Sequence, residues 1–340
     1  MEVIQYKTGK APLEAYSSLI KSIYGASPCY AASLAEEALY QLAPENPFLS
    51  FGAREGFLAT DGGAPAAHAC AITDSRLPAG TGLIGYFDAL GAEAAKGVIA
   101  AACANLAARG VNKIYGPVND TTWQRYGVSI AGEAPPFSGE PFTPREYADY
   151  FENAGFSISD RRLSTSMAVG ELPFEGYGNC YETLLKKGFT FAEVEPAALA
   201  PRAKEIYSIV NSAFGGTPLF VRSGFGEFLY SASARAGRAA GVIFLLAHDG
   251  QNKPAAFLMG MPDSCSGGEN FIFKTIGVTA ECRRMGMGRA LFHLMHLRLR
   301  DGGAKKCIFS TMRDGNPGIQ ALTACAPVLH RGYLTFMKEI

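Results

Sequence analysis

A chain of 340 residues is long enough for two domains of ordinary size, and a composition that is 48% hydrophobic and 18% charged is that of a globular protein. Lys plus Arg equals Asp plus Glu, at 31 each, so no global field draws the chain to nucleic acid or to an anionic membrane, and any anion site has to be local. The longest apolar run, GVIAAACANLAA at 97–108, is too short to span a bilayer. The N-terminal stretch has no apolar core of a signal peptide, and the eight cysteines form no CxxC pair. These features together point to free thiols and a cytoplasmic setting.

In chain order, helices are predicted near 11–24 and over 33–42. GFLAT (56–60) and AAHACAIT (66–73) read as a hairpin whose turn, DGGAP, has the residues such turns prefer. GLIGYFDAL (82–90) is a strand. An Ala-rich helix over 92–109 stops at Gly110, and VNKIYGPV (111–118) is the next strand. A short helix over 144–156 and a strand in SISDRRLSTSMAV complete the first half. The second half repeats this outline. It has a strand at 189–196, a helix over 201–214, a hairpin over 242–262 with DGQNKP as its turn, and a strand at 271–279. A helix over 288–300 and strands at 305–312 and near the C-terminus follow. The expected class is α/β with mixed sheets in two structurally duplicated domains, 1–170 and 180–340, joined by a Gly- and Pro-rich linker at 171–179.

The segment that carries chemistry is ECRRMGMGRALF, 281–292. Strand, glycine-spaced loop and helix in succession place the free amides and partial positive charge of a helix N-terminus where glycines let a phosphate come close. A P-loop requires GK[ST], and Gly288 is followed by Arg289 and Ala290. A dinucleotide fingerprint requires a third small residue and an acidic residue on the next strand, and neither is present. A plain tight turn is the remaining alternative.

The composite of Val278, then Arg283-x-x-Gly286-x-Gly288, then the helix opening at Ala290 resembles the signature of the GNAT (GCN5-related N-acetyltransferase) superfamily of acyl-CoA N-acyltransferases. Residues 180–340 follow its element order. Residues 1–170 look like a degenerate copy, whose corresponding stretch, Gly91 to Lys96, lacks the loop motif and is therefore expected not to bind CoA. The whole chain is also similar to tandem members with a Gly-Pro-Val/Met-Asn loop, here Gly116 to Asn119, and a later Tyr-rich segment, Tyr147 to Phe156.

The resemblance implies that Ile276, Gly277, Val278, Arg283, Arg284, Met285, Gly286, Met287, Gly288, Arg289 and Ala290 hold acetyl-CoA or another acyl-CoA. It also implies that the strand before the loop splays from its neighbour, that Asn316 contacts the pantetheine arm, and that transfer is direct. Gly277 is the expected bulge. The position of the family's tyrosine acid holds Thr323, which leaves Tyr333 as the candidate acid and Glu269 as a candidate base acting through water. His293 and His296 read as helix surface, His248 as exposed, and no metal is implied. The expected function is N-acylation of a primary amine on a small metabolite, by a monomer or homodimer that engages neither nucleic acid nor membrane. The alternative is a non-catalytic module that binds acyl-CoA or a partner.

Overall fold

The computed structural model describes residues 1–7, 13–195, 198–215, 219–236, 241–315 and 328–340. The chain forms two compact units. The first is Met1–Arg162 together with Arg331–Ile340, and the second is Leu163–His330.

In the first unit, β1 (Glu2–Lys7) precedes α1 (Leu13–Ile23) and α2 (Pro28–Leu42). Next come β2 (Gly52–Asp61), β3 (Ala64–Asp74), β4 (Thr81–Ala89) and α3 (Ala92–Ala108). The unit continues with β5 (Lys113–Gly116), β6 (Val128–Ala131) and α4 (Tyr147–Asn153), then passes into β7 (Ser157–Ala168). Gly62 and Gly63 make the β2–β3 turn with φ of 57° and 85°, the left-handed pair that a two-residue hairpin loop requires. The buried stripe of α3, Val98, Ile99, Ala102 and Leu106, packs with Ile84, Phe87, Ile114 and Phe151 in one core.

The second unit begins in β7. It continues through α5 (Gly178–Lys186), β8 (Thr190–Glu193), α6 (Ala203–Phe214) and α7 (Phe225–Ala236). β9 (Ile243–His248), β10 (Pro254–Pro262), β11 (Asn270–Val278), α8 (Met287–Gly302) and β12 (Lys306–Arg313) follow. Its core sets Ala290, Leu291, Phe292, Met295 and Leu299 of α8 against Phe273 and Phe309.

The two units share one plan. The strand order is β1-β2-β3-β4-β5 in the first and β8-β9-β10-β11-β12 in the second. In each, the last of these pairs, β4–β5 or β11–β12, is parallel. The sixth strand is exchanged. β13 (Val328–Glu339), from the end of the chain, pairs with β5 in the first unit, and the end of β7, from the first half of the sequence, lies beside β12 in the second.

This differs from the boundaries expected above. Residues 331–340 belong with the first unit because Leu334 and Phe336 sit in its core and Arg331 and Tyr333 grip its buried Glu140. The Gly- and Pro-rich stretch at 171–179 is not a free linker. It forms 3-10 turns at Val169–Glu171 and Pro173–Tyr177, and Phe174 is fully buried against Phe273, Phe292 and Phe309. No helix among the described residues is long and apolar enough to cross a membrane.

Arg331 Nε donates to Glu140 Oε1 at 2.6 Å, and Tyr333 Oη donates to the same oxygen at 2.6 Å. Burial pushes the Glu140 carboxyl above its ordinary value, and Arg331 opposes that shift. Arg331→Ala strands this buried carboxylate, so a loss of about 3–5 kcal/mol in urea unfolding is expected.

Candidate functional site

β11 is paired to β10 along its length, but its parallel ladder with β12 ends at Phe273 opposite Phe309. Both strands deform at that point. Gly260 faces Phe273 and Met259 faces Thr275, so Lys274 is the extra residue of a bulge. On β12, Thr311 adopts φ 44°, and its amide donates to Ser164 Oγ at 2.9 Å. Beyond this apex, Thr275 to Val278 keep their pairing to β10 alone among the described residues. The side chains pass from buried to half-buried there. Gly277, expected to be the bulge, sits in regular register opposite Phe257. A Cβ at Gly277 would come within 2.7 Å of that ring and 3.4 Å of Ile209 on α6, so its glycine is a packing requirement.

The open edge leads directly into the loop. The Thr279 amide donates to Ala255 O at 2.9 Å, a 3-10 turn spans Ala280–Cys282, and Arg284 and Gly286 take φ of 64° and 90°. The first amide of the helical ladder is that of Ala290, which donates to Gly286 O at 3.0 Å. Among the described residues, the amides of Met285 to Arg289 donate to nothing, as the first turn of a helix requires. Gly286 has its left-handed backbone and lies against Cys180, whose Cβ and Sγ a Cβ would meet at 3.4 and 3.5 Å. Arg283, expected to help hold the acyl-CoA, is engaged by the protein itself. Its Nη2 donates to Ala213 O at 2.9 Å, which ties the loop to the C-terminal end of α6. Arg289 lies over the Tyr177 ring at 5.5 Å. The arrangement sets a run of uncommitted amides at the positive end of a 16-residue helix, continuous with a strand edge that is unpaired among the described residues.

No family model matches the chain, and no curated protein matches its sequence. Solved structures match nearly its whole length. A tandem GNAT protein from the clavulanic acid biosynthesis pathway superposes with a TM-score of 0.61 at 11% identity, over 99% of this chain and 98% of that one. The chain has the tandem GNAT fold. A probable N-acyltransferase from Enterococcus faecalis V583 matches at 0.60 and 12% identity, over 100% of this chain and 73% of that one. A GCN5-related N-acetyltransferase from Sphaerobacter thermophilus matches at 0.53 and 14%, over 99% and 95%. At these identities the likeness is one of fold.

Within this tandem GNAT fold, the residues expected at the loop are placed unequally. Ile276 to Val278 and Arg284 to Arg289 form the edge and helix start described above, and Ala290 is buried in the core beneath them. Asn316 and Thr323 lie outside the described residues. The two candidate catalytic groups are engaged by other side chains. Tyr333 belongs to the first unit, 2% exposed, with its hydroxyl spent on Glu140. Glu269 stands at the far end of β11, roughly 30 Å from Val278 by the rise of a strand. It is ion-paired at 2.6 Å to Lys305, whose hydrogen bond holds its carboxyl below the ordinary value. His293 donates Nδ1 to Phe174 O at 3.3 Å. Among the described residues, no group of His, Cys, Asp and Glu is placed to hold a metal ion.

Hydroxyl groups at the apex were missed by the sequence reading. Ile276 and Val278 on β11, and Cys307 and Phe309 on β12, pack toward the core that contains α8, whereas Gly277 faces α6. Alternation along the strands therefore puts Thr275 and Ser310 on the α6 side. Ser310 Oγ lies 3.3 Å from Thr311 Oγ1. The signal was present as Ser-Thr runs inside otherwise apolar strands, LSTSM at 163–167 and FSTM at 309–312.

His248, expected to be exposed, is 7% exposed, and its Nε2 donates to Glu205 Oε2 at 2.6 Å, fastening α6 to the end of β9. Burial pushes the Glu205 carboxyl up, but the hydrogen bonds from His248 and Arg202 outweigh it and hold the carboxyl below its ordinary value. A depressed carboxylate stabilises the fold above its unfolded-state value, and that contribution is lost as pH falls through the folded value. Glu205→Gln should therefore lose less stability than the parent protein between neutral pH and the acid side, measured as the pH dependence of the unfolding midpoint.

Proposed function

We propose that the chain is an acyl-CoA-dependent N-acyltransferase working in its second unit, with acetyl-CoA as donor and the primary amine of a small metabolite as acceptor. The observation that carries this reading is the continuity of two features built by separate causes. Among the described residues, the strand edge from Thr275 to Val278 has no neighbour on its β12 side, and it runs into a helix start whose amides from Met285 to Arg289 are uncommitted. The donor set fits the donor molecule. Gly286 supplies the left-handed backbone that opens the helix, the helix N-terminus favours a pyrophosphate, and a bare strand edge suits an extended amide-bearing arm. Two of the fold matches are themselves described as a probable N-acyltransferase and an N-acetyltransferase, which supports the reading.

Acyl transfer to an amine needs a neutral nucleophile, stabilisation of the oxyanion and departure of the thiolate. A bound acyl-CoA supplies the activated carbonyl and the leaving group. In this proposal the chain supplies position and polarisation. The helix start fixes the pyrophosphate, and the backbone donors of the splayed edge face the carbonyl. Ser310 and Thr311 provide the polar side chains at the apex, while Tyr333 and Glu269 are engaged by Glu140 and Lys305. That engagement of Tyr333 and Glu269 elsewhere is also what favours the second reading, an acyl-CoA-binding module without transfer.

Thermal unfolding with and without acetyl-CoA tests binding. Saturation at 100 times the dissociation constant is expected to stabilise the protein by about 2.7 kcal/mol. Gly286→Val, which forces a β-branched residue into a left-handed backbone beside Cys180, should abolish the shift while leaving the far-UV circular dichroism unchanged. Glu269→Gln should leave the shift intact. An undiminished shift in Gly286→Val would show that the loop is not the site. Thiol release from acetyl-CoA across a panel of amines then separates transferase from binding module.

A further inference from the structure

The first unit opens its sheet in the same way and then closes the gap with its own chain. The parallel ladder of β4 and β5 ends at Leu83 opposite Tyr115. Beyond it β4 is irregular. Cys70 faces Gly85 and His68 faces Asp88, so Tyr86 and Phe87 span the place of one residue, with Tyr86 at φ 50°. In the second unit, the edge at this level is unpaired among the described residues. In the first unit, the segment after β5 folds back along it. The Val118 amide donates to Ile84 O at 2.8 Å, and the Tyr86 amide donates to Asn119 Oδ1 at 2.6 Å. The Val118 carbonyl lies so close to Gly85 that a Cβ there would collide with it. Val118 is fully buried and Asn119 is 8% exposed.

The segment is locked from both ends. Asp120 accepts Nε and Nη2 of Arg54 at 2.7 and 2.6 Å and the hydroxyl of Tyr86 at 2.6 Å. Asn119 N donates to Arg125 O at 3.0 Å, and Arg125 Nη1 in turn donates to Asp88, which also accepts the hydroxyls of Tyr16 and Tyr24 at 2.8 and 2.6 Å. These bonds join α1, β2, β4 and the segment in one buried network, in which every carboxylate faces a guanidinium.

We infer that residues 117–125 are a built-in occupant of the first unit's cleft. The carboxamide carbonyl of Asn119 takes the Tyr86 amide where a ligand carbonyl would, so this unit is closed to acyl donors. Combined with the function proposed for the second unit, on which this corollary rests, the chain carries one donor site and not two. The closure itself stands independently of that function.

Amide hydrogen exchange on the intact chain, followed residue by residue with and without acetyl-CoA, tests the inference. The amides of Tyr86 and Val118 should be protected as strongly as those of core strands in the free protein, and acetyl-CoA should not change them. The amides of Ile276 and Val278, which alternation from the Thr279–Ala255 bond aims away from β10, should exchange faster and gain protection with acetyl-CoA. A Tyr86 amide that exchanges like an exposed loop, or that gains protection on adding acetyl-CoA, would overturn the inference. If acetyl-CoA protects neither unit, the donor site of the second unit fails, while slow exchange at Tyr86 still supports closure of the first. Asn119→Ala should lower Tyr86 protection roughly tenfold or more in a chain that remains folded, because it deletes the only acceptor identified for a buried donor. Unchanged protection in that variant would show that Asn119 is not the occupant.

Discussion

The organising constraint is a parallel ladder that stops early. Between β11 and β12 only Asn270 to Phe273 find partners, because Lys274 is extra on one strand and Thr311 turns left-handed on the other. A bulge twists its strand away from the neighbour and leaves backbone groups without ladder partners. Buried groups of this kind are costly, so the open edge has to face either solvent or something that bonds to it. Everything proposed for the second unit follows from that edge and from its direct continuation into the amide-rich start of α8.

The first unit meets the same constraint with its own chain. Its gap is filled by residues 117–125 and fastened by Arg54–Asp120 and by Asp88 with Tyr16, Tyr24 and Arg125. Buried ion pairs add little net stability compared with apolar packing, but removing one partner is expensive, so such networks specify one arrangement of the elements they join. His68 belongs to the same region. Its pKa is lowered to about 4 by burial, so it is neutral at ordinary pH, bonded to the Tyr86 carbonyl on one side and to the Tyr6 hydroxyl on the other. These buried polar residues fasten the elements of the first unit to one another.

Much of this was legible in the sequence where a local rule was decisive. Gly62-Gly63, Gly110 and Gly286 mark left-handed backbone, and Ala-rich 92–108 can hardly be other than helix. The glycine spacing of the loop marked a segment that does join a strand to a helix start with uncommitted amides. What was not legible depended on partners distant in the chain. Nothing near Tyr333 reveals Glu140, and nothing near Gly277 reveals that its constraint is Phe257 while the bulge falls at Lys274. The exchange of β7 and β13 was hidden for the same reason, because alternation shows that a stretch is a strand but not which sheet receives it. Gly and Pro at 171–179 read as a linker because the burial of Phe174 is a tertiary fact.

The most direct test of the account is a calorimetric titration of the intact chain with acetyl-CoA. The open edge of the second unit and the filled edge of the first together predict one bound molecule per chain. Two per chain would contradict the closure of the first unit, and none would contradict the reading of the loop at Gly286.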